Sequence, residues 1–103
     1  MNGVRMEEGA GHIGLLSVRV FIGEARSLKD KRAVLRRLKD RVRSSFNVSV
    51  AELAGQDKWQ VAQIGFVMIG NERAHIESTL QAILNLMDSY HPLEICEHNL
   101  EFF

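Results

Sequence analysis

Apolar residues in this chain recur with period two, then 3.6, then two in a pair of runs split by a turn, then 3.6, and finally two. That succession limits the possible folds more than any single residue does. From His12 to Ile22, Leu16, Val18, Val20 and Ile22 share one strand face, while Leu15, Ser17, Arg19 and Phe21 share the other. Ser27 to about Ser44 has helical period, with Val34, Leu35, Leu38 and Val42 on one stripe. Asn47 to Leu53 alternates again. Gly55-Gln56-Asp57-Lys58 is a turn, and Trp59 to Ile69 is a nearly continuous apolar strand. Its alternation puts Ala62, Ile64, Phe66 and Met68 on one face, and Val61, Val67 and Ile69 on the other. Gly70-Asn71 breaks the strand and caps a second helix running to about Ser89, whose apolar stripe is Ile76, Leu80, Ile83, Leu84 and Met87. His91-Pro92 ends it, and Leu93 to Phe103 is a last strand.

The order βαββαβ predicts an α+β fold: a ferredoxin-like plait with a four-stranded antiparallel sheet and both helices on one face. The first and third strands are expected at the centre, in keeping with the apolar third strand. Residues 12–103 are expected to form one domain, and residues 1–11, polar and glycine-rich, a flexible leader. A single cysteine, Cys96, allows no intramolecular disulfide and suggests a reducing, cytoplasmic setting. No run approaches the eighteen or so apolar residues of a membrane span.

Net charge is zero, but its distribution is uneven. Counting Arg26 just before it, the first helix holds nine of the thirteen Lys and Arg residues. From Gln60 onward Arg73 is the one basic residue, against Glu72, Glu77, Asp88, Glu94, Glu97 and Glu101. Lys29, Arg32, Arg36, Lys39 and Arg43 form a second stripe on the first helix, about one turn apart and roughly opposite the apolar one. The row is roughly 20 Å long at 1.5 Å per residue, suited to following a phosphate backbone. Lys31, Arg37 and Arg41 flank it. Some of the charge is ordinary helix chemistry: Ser27 as N-cap, Asp30 three residues on, cations in the last turn. But only Asp30 and Asp40 counter the cations within the helix, and the second helix manages a nearly neutral outer face.

A two-layer plait leaves one sheet face uncovered, so an aliphatic open face predicts burial by something else, first a second copy of the chain. Phe21 and Phe66 are the candidates for base stacking on that face, among aliphatic neighbours such as Leu15, Val61, Val67 and Met68. Trp59 is expected to pack at the start of its strand, and Asp57 to cap its own turn. Cys96 and His98 would share a strand face, but no metal-ligand spacing accompanies them. No Gly-rich phosphate loop or catalytic constellation is legible, so neither a metal nor a cofactor is expected.

S-L-K-D-K-R at 27–32, F-N-V-S-V-A-E at 46–52, D-K-W-Q at 57–60 and N-x-x-A-H at 71–75 together resemble the YlxP-like family of small bacterial proteins, a domain of unknown function. The resemblance covers about residues 12–95. It implies a ferredoxin-like fold and a bacterial cytoplasmic protein whose gene lies among transcription-elongation and translation-initiation genes. That points to RNA or the ribosome as partner. It carries over no catalytic residue. The expectation is a non-enzymatic RNA- or ribosome-associated module acting through Lys29, Arg32, Arg36, Lys39 and Arg43. The alternative is a homo-oligomeric regulatory or scaffold protein acting through its open sheet face, as a homodimer.

Overall fold

The computed structural model describes residues 6–103, so residues 1–5 of the expected leader lie outside the described residues. Six elements follow in the expected order: β1 (His12–Phe21), α1 (Leu28–Ser45), β2 (Ser49–Ala54), β3 (Val61–Gly70), α2 (Arg73–Asp88) and β4 (Glu94–Phe102). The strands form one antiparallel sheet in the order β2-β3-β1-β4, with β1 and β3 central.

Alternation decides which side of the sheet the helices cover. Leu16, Val18, Val20 and Ile22 are buried, as are Phe66, Ile64 and Ala62, opposite the first three in register, and Met68, opposite Gly14. From above, α1 adds Val34, Leu35, Leu38 and Val42, and α2 adds Ile76, Leu80, Ile83, Leu84 and Met87. These apolar side chains are one cluster, and their removal from water is the main force holding the layers together.

Helix α1 starts as its sequence dictates, with one shift. Ser27 Oγ accepts the Asp30 N–H at 3.0 Å, but Asp30 Oδ2 accepts from Arg26 N–H at 2.9 Å, one residue before the usual capping-box partner. Helix α2 does not use Asn71 as its cap: Glu72 holds that position and makes no side-chain bond.

Phe66 is a correction. It lies on the helix side of β3, wholly buried opposite Leu16, and cannot stack a base on the open face; Met68 is inside with it. A bulge in β4 is another. Arg19 pairs with Glu97 while Val20 pairs with Ile95, leaving Cys96 as the extra residue. The alternation that would align Cys96 with His98 is broken there, and His98 lies beside Ile95, Leu84, Asn85 and Asp88 instead. Among the described residues no three His, Cys, Asp or Glu side chains gather as a metal-binding group.

Candidate nucleic-acid interface

Lys29, Arg32, Arg36 and Arg43 are exposed on α1, and Lys39 is half-buried beside them. They face outward because the opposite stripe is occupied by the core. Among the described residues none of the five has a carboxylate within 4.0 Å; the pairs found are Arg19–Glu97, Lys31–Glu52 and His91–Glu24. Arg43 makes one long contact, Nη2 to Val50 O at 3.4 Å, along the free edge of β2. Arg37 and Arg41 are exposed as well.

Lys31 does not flank the stripe. Its side chain is 1% exposed, and its ammonium donates to Glu52 Oε2 at 2.8 Å, Gly55 O at 2.7 Å and Val61 O at 3.1 Å. All three ammonium hydrogens are thereby used, as a buried cation requires. The signal for this was present: residue 31 lies three and four before Val34 and Leu35, so it continues the apolar stripe by one turn. Glu52 likewise shares the inward face of β2 with Val50.

This contact locks α1 to the β2–β3 hairpin. The turn itself needs glycine at Gly55, whose φ of +84° is strained for any other L-residue; Lys58 N–H closes it on Gly55 O at 3.0 Å. No bond from the Asp57 side chain accompanies it. Gln60 ties the far side of the hairpin down, its amide donating to Gly23 O at 3.2 Å and Ala25 O at 3.3 Å. Trp59, between these fixed residues, is not packed as expected but 53% exposed.

The open sheet face has three zones. At one end Ile13, Val67, Ile69 and Phe103 are exposed, with Leu15 half-buried among them. The middle is polar: Ser17, Arg19 and Gln63 with Glu97, Asn99 and Glu101 line a hollow of about 460 Å³, bridged by Arg19–Glu97 at 3.3 Å. At the hairpin end Phe21 and Trp59 are together, the Phe21 ring folded over Gly23.

A family model described as "Protein of unknown function (DUF503)" matches residues 13–100. The "Uncharacterized protein YlxP" of Bacillus subtilis (strain 168) is 38% identical over 91 residues, covering 88% of this chain and 99% of that protein. Among solved structures, the "De novo designed protein Foldit4" aligns with a TM-score of 0.51 over 90% of this chain and 96% of its own, at 15% identity, a likeness of fold alone. With most of its length matched on both counts, the chain belongs to the YlxP-like (DUF503) family of proteins of unknown function.

Proposed function

We propose that the chain is a cytoplasmic, non-enzymatic RNA- or ribosome-associated binding module, with Lys29, Arg32, Arg36, Lys39 and Arg43 contacting phosphates. The observation that carries this reading is how α1 treats its cations. The one it buries, Lys31, is fully paired; the exposed ones have no carboxylate partner among the described residues. A solvated helix face serves equally well when nearly neutral, as α2 shows. Unpaired cations one turn apart match the regular spacing of phosphates and release counterions on contact. Such contacts give affinity and orientation rather than sequence preference. The gene neighbourhood implied by the family resemblance points to the same partner.

RNA affinity measured across a salt series tests it. Affinity should fall steeply with salt, and the triple change Arg32→Glu, Arg36→Glu, Arg43→Glu should abolish it. Absence of salt-sensitive binding by the native chain at low ionic strength would refute the proposal.

A second reading has its own observation: Ile13 (39%), Val67 (39%), Ile69 (69%) and Phe103 (71%) expose a continuous apolar end on the open sheet face. A second copy covering that end would make a homodimer, which could act as a regulatory or scaffold unit. A monomeric mass in solution would refute it.

A further inference from the structure

We propose that the hairpin end of the open sheet face is a stacking site for an unpaired base, formed by Phe21, Lys58 and Trp59. This rests on the reading of α1 as an RNA-phosphate surface and specifies the RNA as single-stranded at the contact.

An exposed tryptophan by itself means little. Three further observations accompany this one. First, the residues on both sides of Trp59 are held in place. Lys58 N–H bonds to Gly55 O, Ile22 N–H bonds to Gln60 O at 2.7 Å, and the Gln60 amide bonds to two carbonyls of the β1–α1 loop. With the flanking residues fixed, only the two side-chain torsions of Trp59 remain to be ordered on binding. Second, Trp59 is not the sole aromatic there. With Phe21, Asp57, Lys58, Gln60 and Val61 it lines a shallow hollow of about 370 Å³. A neighbouring hollow of about 290 Å³ shares Lys58 and Val61 and adds Arg19 and Gln63. Third, the site adjoins the cation row. Lys31 binds Gly55 O and Val61 O, so the first turn of α1, with Lys29 and Arg32 exposed on either side of Lys31, stands directly behind the hairpin turn.

At the hollow Lys58 is set against Asp57, Glu94 stands opposite Phe21 on β4, and Arg19 is held by Glu97. Attraction therefore comes from α1, while the hollow supplies two π-faces. A flexible single strand running along α1 toward its N-terminal end can turn around the hairpin tip and place a base on Trp59. A stiff duplex cannot make that turn. Aromatic stacking of this kind tolerates any base, so preference is for unpaired over paired RNA rather than for a sequence.

The test uses the full chain, a labelled oligouridine of about ten nucleotides and a duplex of the same length. Trp59→Ala should weaken single-strand binding roughly 5- to 100-fold and leave duplex binding unchanged, with Trp59→Phe retaining most of the affinity. Trp59 is the single tryptophan, so its emission should be quenched by oligouridine and not by inorganic polyphosphate. Equal single-strand binding by Trp59→Ala and the native chain overturns this site but leaves the phosphate stripe standing. No binding of either RNA by the native chain overturns both. Emission that follows protein concentration and ignores RNA assigns the hollow to a second copy and overturns the proposal.

Discussion

Replacing Lys31 by methionine isolates the charge buried under α1. Methionine keeps an unbranched chain of similar length, so packing of the stem is largely retained and the ammonium is lost. Three bonds disappear. Gly55 O keeps the Lys58 N–H at 3.0 Å, so the groups left without Lys31 are the Glu52 carboxylate and Val61 O. Breaking a fully buried pair costs about 3–5 kcal/mol, and Glu52, whose side chain is 16% exposed, recovers part of that from water. A loss of ~2–3 kcal/mol follows, a large share of the stability of a small domain. With an m value of roughly 1.5 kcal/mol/M the urea midpoint falls by about 1.3–2 M at unchanged slope. Changing Glu52→Met as well removes the orphaned charge, so Lys31→Met with Glu52→Met should be more stable than Lys31→Met alone. Equilibrium urea unfolding of the native chain, both single variants and the double variant gives the full cycle. A Lys31→Met midpoint within about 0.3 M of the native value would show the ammonium to be solvated. A double variant weaker than the single would refute the pairing.

Three other outcomes follow from the same geometry. Five phosphate contacts on single-stranded RNA give a slope of about −3.5 in log affinity against log salt, so raising salt fourfold should weaken binding roughly 100-fold; filter binding at several salt concentrations checks it. Gly14→Ala places a Cβ 2.6 Å from Ile76 Cγ2 and 3.0 Å from Leu80 Cδ1, forcing α2 off β1, with an expected cost of ~1–3 kcal/mol by urea unfolding. Val67→Lys, on the exposed apolar end, should reduce any dimer to monomer by size-exclusion mass without lowering monomer stability.

The element order, the central strands and both helical stripes were legible because each buries one face, and burial imposes a period. Phe66 suggests stacking because it is an aromatic on a central strand, but its alternation with Ile64 and Met68 sets it on the buried side. Cys96 and His98 share a face only in an unbroken strand, and a bulge is one extra residue that composition does not mark. The expectation that Trp59 packs at the start of its strand fails because the hairpin tip is fixed by main-chain and Gln60 bonds that leave Trp59 about half exposed. Lys31 shows the limit of counting charge. It belongs by number to a basic helix and by angle to the apolar stripe, and only its angle agrees with where it lies. An ionisable residue on an inward stripe, with an opposite charge on the inward face of a neighbouring strand, is a recognisable sign of a buried pair.

Topology turns the uneven charge along the chain into an uneven charge in space. The order β2-β3-β1-β4 puts β4, with Glu94, Glu97 and Glu101, at the edge opposite β2. Helix α1 is joined to the β2 edge by Lys31–Glu52 and Arg43–Val50, while α2 packs on β1, β3 and β4. A chain of zero net charge thus has one cationic edge and one acidic edge, and an approaching polyanion is steered to the first and repelled from the second. On the proposed reading, this limits which part of the open face an RNA would reach. The polar middle is bordered by Glu97 and Glu101, so phosphates are turned away there. The hairpin end lies beside the start of α1 but has Glu94 opposite Phe21, so on the proposed reading a strand held by the helix would cross to the other face on the Lys58–Trp59 side, away from β4.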